Sequence, residues 1–212
     1  MIDCVIWDWN GTLLNDVEYA KNVINAVLKK HHIRELADVH EYREKFCFPV
    51  QTFYERVGLG GALYDEAAVE WTQEYYAHEA DCALRFGAEE CVLALKALGI
   101  RQAVISASPQ TALERQVGHY AVSGRFEALM GLDNIHARSK VGLARDFMGR
   151  ENSHPETTLF IGDTLHDAEV ATAVGARCVL LKGGHQTEEL LRSARLPLLD
   201  GADSLPGYIR SL

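Results

Sequence analysis

No apolar run in the 212-residue sequence approaches the ~18 residues that a membrane-spanning helix requires. The N-terminus, Met1-Ile2-Asp3-Cys4, carries no basic stretch ahead of an apolar one, so no signal peptide is expected. Basic residues are in the minority: 21 Lys and Arg stand against 30 Asp and Glu, a formal charge of −9. Such a chain lacks the basic face that displaces counterions, which argues against nucleic acid and anionic membranes as partners. Cysteine is odd in number, five residues with no CxxC pair. A disulfide scaffold or zinc site is therefore not expected; each Cys reads as a small buried hydrophobe, and a reducing cytoplasm fits. The nine His are scattered without an HExxH, and Ser106-Ala107-Ser108 lacks the GxSxG setting of a hydrolase nucleophile. No internal repeat or low-complexity segment is present.

What remains is ordinary globular usage, 48% hydrophobic and 24% charged. Short β-branched runs predict buried strands at 2–7, 102–105, 158–161 and 177–181, with a short last strand at 197–199. Helical patterns lie between them at 88–98, 140–148 and 168–174. In the first, Cys91, Val92, Leu95 and Leu98 share one face, and Gly99 is placed to end the helix. This alternation predicts βαβ units and an α/β fold with a doubly wound, Rossmann-like parallel sheet. Residues 15–83 interrupt it. Apolar residues at helical spacing predict helices at 16–28, with Asp16 as N-cap, and at 64–75, with shorter pieces at 40–45 and 50–57. No strand is expected there. The chain is thus expected to form a core from 1–14 and 84–212, with an all-helical cap inserted at 15–83. Gly58-Leu59-Gly60-Gly61 reads as a break between cap helices, and Gly183-Gly184-His185 as a turn.

In an open parallel sheet, ligands bind beyond the carboxyl ends of the strands, so the residues ending each apolar run carry the information. They are Asp8, Ser106 and the pair Gly162-Asp163, with Asp167 four residues further on. Two carboxylates and a hydroxyl at one sheet edge call for a compensating cation. A hard ion with oxygen ligands, Mg²⁺ first among them, meets that need. In Asp8-Trp9-Asn10-Gly11-Thr12, Gly11 allows a tight turn and Thr12 offers a hydroxyl and an amide to an anion.

These residues resemble the motifs of the haloacid dehalogenase superfamily, whose members are mostly phosphohydrolases. Asp8, Asn10 and Thr12 match its Asp-x-Asp-x-Thr. Ser106 matches its strand-ending Ser or Thr, and Lys140 its basic residue at a helix start. Gly162, Asp163 and Asp167 match its Gly-Asp-x-x-x-Asp. The order covers nearly the whole chain, and the helical insertion is similar to the cap of the phosphoglycolate phosphatase-like branch. The resemblance implies that Asp8 is a nucleophile forming an aspartyl-phosphate. It implies that Mg²⁺ is held by Asp8, Asp163 and the Asn10 carbonyl, with Asp167 acting through water or on Asp163. Ser106, Lys140 and the amides near Asn10 and Gly11 then offset charge on the phosphoryl oxygens.

Asn10 departs from the pattern. The family's Asp at this position protonates the leaving oxygen, and an amide cannot exchange that proton, a loss typically worth about 10²–10⁴-fold in rate. Slow turnover, restriction to good leaving groups, a substitute such as His166, or a persistent aspartyl-phosphate would each follow. In the cap, Arg43 or Lys45 is placed to meet a second anionic group on the substrate, and Phe46 or Phe48 to exclude water. The expected activity is hydrolysis of a small phosphorylated metabolite. The alternative is a catalytically weak relative that binds a phosphorylated ligand as a sensor. The oligomeric state stays open.

Overall fold

The computed structural model describes residues 1–77, 82–135, 139–150 and 153–212. Residues 78–81, near the end of the expected cap, lie outside the described residues. In chain order the elements begin with β1 (Cys4–Trp7), β2 (Leu14–Asn15), α1 (Val17–Lys30), α2 (Val39–Lys45), α3 (Val50–Val57), α4 (Tyr64–Ala77) and β3 (Ala83–Leu84). They continue with α5 (Ala88–Ala97), β4 (Arg101–Pro109), α6 (Gln110–Gly118), β5 (Ala128–Leu132), α7 (Val141–Met148) and β6 (Thr158–Gly162). The last are α8 (Leu165–Val174), β7 (Arg177–Leu181), α9 (Glu188–Arg192), β8 (Leu198–Leu199) and α10 (Leu205–Arg210).

A six-stranded sheet runs in the order β5-β4-β1-β6-β7-β8, with every pairing parallel. All four side chains of β1 are buried, as expected when helices cover both faces. The period of two divides them: Val5 and Trp7 pack with α5, α6 and α10 on one face, Cys4 and Ile6 with α7, α8 and α9 on the other. From β1 the chain fills the sheet outward through β4 and β5, then returns to fill the other side from β6. The crevice between β1 and β6 is therefore the switch point of the sheet.

Helices α1 to α4 enclose a separate apolar cluster that includes Ile24, Leu28, Tyr42, Phe53 and Tyr75. Burying Ile24 and Leu28 completely contributes roughly 1.5–3 kcal/mol each. Gly58, at φ +94°, ends α3 in the left-handed conformation, consistent with a break at 58–61.

Three expectations are corrected. The stretch 15–83 is not free of strand: Leu14–Asn15 and Ala83–Leu84 pair antiparallel where the chain enters and leaves the cap. A two-residue pair is too short to show alternation. Asp16 occupies the N-cap position of α1, but its carboxylate caps no helix N–H and turns toward Asn10 and Gly11 instead. Cys47 is only half-buried, unlike the other four cysteines. In addition, β5 has no counterpart in the sequence pattern. Its Ala-Leu-Met-Gly-Leu composition lacks β-branched residues, and Gly131 is required because a Cβ there would meet the Ser108 carbonyl oxygen at 2.7 Å.

Candidate active site

Strand register brings the acids together. Trp7 pairs with Ile161 on β6 and Val104 on β4. Asp8 thus emerges beside Gly162, with Asp163 one residue beyond and Ser106 close on the other side. The register of β4 shifts between Ile105 and Pro109, a local irregularity that re-aims side chains. Here Ser108 Oγ donates to Asn10 Oδ1 at 2.8 Å, while Ser106 Oγ lies 3.5 Å from the same oxygen.

Lys140 precedes α7, and its buried ammonium bonds Asp8 Oδ1 and lies 2.7 Å from Asp167 Oδ1. Asp167 reaches back from the first turn of α8. Its Oδ2 accepts from the N–H groups of Asp163 (3.1 Å) and Thr164 (2.9 Å) and from the Thr164 hydroxyl (2.7 Å), as an acid in this helix position does. Thr12 Oγ1 donates its one proton to Asp163 Oδ1 at 2.7 Å, with Asp8 Oδ2 3.2 Å away. Asp163 Oδ2 accepts from the His185 N–H at 2.6 Å. The 183–185 turn can wrap this carboxylate only because residue 184 is Gly: a Cβ there would lie 2.1 Å from Asp163 Oδ2. Gly11, at φ +71°, meets the same oxygen from the other side, where a Cβ would stand at 2.4 Å.

Two of the three buried carboxylates, Asp8 and Asp167, thus share one ammonium, and the protonation of the group shows the imbalance. Burial pushes the Asp8 carboxyl up to about 8; Lys140 opposes this, and the charges of Asp167 and Asp163 add to it. Burial also raises Asp163, with His185 opposing. Asp167 lies below the ordinary carboxylate range because Lys140 and Thr164 outweigh its burial. Burial disfavours the Lys140 charge, yet Asp167 and Asp8 raise its pKa. Asp8, Asp163 and Asp167 offer carboxylate oxygens within 4.8 Å of one another. This excess negative charge on hard oxygen donors fits a divalent cation such as Mg²⁺.

The cap closes over these groups. Tyr75 Oη donates to Asp16 Oδ2 at 2.6 Å and accepts from Asn10 Nδ2 at 2.8 Å. Tyr42 Oη lies 2.8 Å from His185 Nδ1, whose Nε2 lies 3.3 Å from Asp16 Oδ1. Burial disfavours the His185 charge, but Asp16 holds its pKa above the ordinary value. Asp16 is itself held low because His185, Tyr75 and Asn10 outweigh its burial.

Of the residues singled out from sequence, Asp8, Asn10, Ser106, Lys140, Asp163 and Asp167 line one pocket, roofed by Phe46 and Phe48. Gly11 and Thr12 brace Asp163 from beneath. Arg43 points elsewhere: its guanidinium donates to the Gly184 (2.7 Å) and Gly183 (2.8 Å) carbonyls and ties the cap to the core. His166 is buried, stacks under Phe48 at 4.6 Å and does not line the pocket. Its pKa is lowered by burial, which Glu169 opposes. Sequence reasoning missed Asp16, Tyr42, Tyr75 and His185. His185 lies four residues beyond the end of β7, in the Gly183-Gly184-His185 turn, so the strand-end rule that finds Asp8 and Asp163 stops short of it.

The sequence profile of the haloacid dehalogenase-like hydrolases matches residues 2–175. The chain belongs to this family. Phosphoglycolate phosphatase 1 of Pseudomonas aeruginosa is 25% identical over 190 residues, 85% of this chain and 70% of its own length. Tyrosine-protein kinase PtkA of Mycobacterium tuberculosis is 27% identical over 139 residues, 65% of this chain; the match spans about half (47%) of that relative. The crystal structure of a predicted phosphatase from Clostridium acetobutylicum shares the fold, with a TM-score of 0.86 over 100% of both chains at 20% identity. Among the described residues, no helix is long and apolar enough to cross a membrane.

Proposed function

We propose that this hydrolase is a Mg²⁺-dependent phosphatase that acts on a small phosphorylated metabolite through an aspartyl-phosphate on Asp8. The observation that carries the reading is the convergence of Asp8, Lys140, Asp163 and Asp167 at the switch point of the sheet, beneath a closed cap. In this proposal the cap comprises 15–83 and the core 1–14 with 84–212. Lys140 engages Asp8 Oδ1, and the Thr12 proton is committed to Asp163, which leaves Asp8 Oδ2 to attack phosphorus. The new O–P bond forms as the ester P–O bond breaks. Water then attacks phosphorus, the Asp8–phosphate bond breaks, and inorganic phosphate leaves with the water's oxygen. Mg²⁺ would be held by Asp8 and Asp163 with the Asn10 backbone carbonyl, Asp167 acting through water or on Asp163, and when bound it supplies positive charge to the phosphoryl oxygens. Lys140 adds charge of the same sign, Ser106 faces the same group, the Gly11 N–H is instead held by Asp16 Oδ1 at 2.8 Å, and the tyrosines of the cap exclude water.

The assembled acids and ammonium do not favour a sensor without turnover. The test is phosphate release from a panel of esters that includes phosphoglycolate, the substrate in the name of the Pseudomonas relative. Release that stops with a chelator and falls by about 10³-fold or more in Asp8→Asn is expected. Release that persists in Asp8→Asn would refute the assignment.

A further inference from the structure

The pocket's two halves differ in chemistry. Its floor is the polar set already described; its roof, from the cap, presents Phe46, Phe48, Phe53, Tyr54, Trp71 and Tyr75. Among the described residues lining it, the cations are Lys140 and His185, and both are committed to carboxylates of this chain. Arg43, the cap cation placed to meet a second anion, is held on backbone carbonyls. Three hydroxyls of the roof are occupied too: Tyr42 on His185, Tyr75 on Asp16, and Thr72 on the Ala68 carbonyl at 2.7 Å. A carboxylate or a second phosphate would enter this space and lose its water with no uncommitted cation to replace it, a cost of several kcal/mol for a charge. The cavity, about 130 Å³ over floor and roof together, is smaller than the ~150 Å³ apolar cavity that holds one benzene, which argues against a substrate with more than one ring.

An independent observation concerns the bond to be broken. Asn10 has no proton to give the leaving oxygen, and its amide is locked to Asp16 and Tyr75. An alkoxide, with a conjugate acid close to water's ~15.7, needs that proton. A phenolate, with a conjugate acid near ~10, departs without it.

We infer that the substrate is the phosphate monoester of a small single-ring phenol: the aromatic roof holds the ring and the acidic floor takes the phosphoryl group. This inference rests on the phosphatase reading and specifies its substrate class. An Asp8 oxygen bonds to phosphorus as the phosphorus–aryloxy bond breaks, and the phenolate leaves with the bonding pair. It takes its proton from solvent after release.

Three esters and one acyl phosphate separate ring from leaving group when assayed with Mg²⁺: phenyl phosphate, benzyl phosphate, glycerol phosphate and acetyl phosphate, with phosphoglycolate alongside. Phenyl phosphate should exceed glycerol phosphate and phosphoglycolate in kcat/KM by about 10²-fold or more. Benzyl phosphate should share its low KM but not its kcat, and acetyl phosphate its kcat but not its low KM. Trp71→Ala should lower kcat/KM for phenyl phosphate roughly three- to tenfold more than for acetyl phosphate. On the unaltered chain, phenylphosphonate should inhibit about tenfold more tightly than methylphosphonate, a readout that depends on no variant. Equal inhibition by the two phosphonates, or a higher kcat/KM for phosphoglycolate or glycerol phosphate, would overturn the inference while Asp8-dependent release left the phosphatase reading standing. No Asp8-dependent release from any of these compounds, acetyl phosphate included, would refute both.

Discussion

The side-chain amide of Asn10 donates to Oδ2 of Asp16 at 2.9 Å. Tyr75 joins the pair through both residues, and Ser108 holds the opposite end of the amide at 2.8 Å. Asn10 is therefore fitted to its surroundings by an acid six residues along the chain. An Asp at this half-buried position would set its carboxylate face to face with the buried one of Asp16, and one of the two would be driven to take up a proton.

Restoring the family's acid by Asn10→Asp alone should cost about 1–3 kcal/mol of stability and give little gain in rate. Adding Asp16→Asn returns a donor to the pair. The double variant should regain stability and hydrolyse alkyl phosphates at least about tenfold faster than the unaltered chain. Thermal unfolding and phosphate release check both expectations. A double variant no faster than the parent would show that the proton on residue 10 does not limit the rate.

Lys140→Met removes the one ammonium shared by Asp8 and Asp167. Stranding these buried carboxylates should cost about 3–5 kcal/mol. The loss should shrink at acid pH, where the carboxylates take up protons, and turnover should fall by about 10²-fold or more. Unfolding temperatures measured across pH, with single-substrate kinetics, test this. A loss of stability that did not depend on pH would speak against the shared ion pair.

At the proposed metal site, magnesium and the proton should compete for Asp8. Without metal, the folded chain holds Asp8 at about 8, well above its unfolded value. The fold therefore binds the extra proton between those limits. The stability from this group is present below the unfolded value and is lost as pH rises through about 8. Mg²⁺ should consequently raise the unfolding temperature more at about pH 8.5 than at about pH 5.5. An equal increment at both would place the ion away from Asp8.

Arg43→Ala tests whether this guanidinium clamps the cap or reads the substrate. A clamp on Gly183 and Gly184 predicts a similar rise in KM for every ester, with faster amide exchange in α2. A rise confined to substrates with a second anionic group would instead place Arg43 on the substrate.

The fold was legible where local pattern and tertiary demand agree. The run Cys4–Trp7 is apolar because both faces of the sheet are covered, and Val50–Val57 shows a single amphipathic face. Strand β5 was hidden because its residues favour no pleated surface by themselves and depend on pairing with β4. At the site, Asp8 and Asp163 were visible as strand ends. Asp16 was misread because an acid before a helix is ordinarily its cap, and only the three-dimensional meeting with Asn10, 2.9 Å away, gives it another task. Arg43 shows the converse limit: sequence places a cation near the site but does not show that two backbone carbonyls already occupy it.

The most direct measurement is to mix the protein with Mg²⁺ and a phosphate ester carrying labelled phosphorus, quench in acid within one turnover, and locate the label by peptide mass spectrometry. The expected result is label on the peptide that contains Asp8, lost with a chelator and absent from Asp8→Asn. Full phosphate release with no label on that peptide at any quench time, and undiminished in Asp8→Asn, would contradict it.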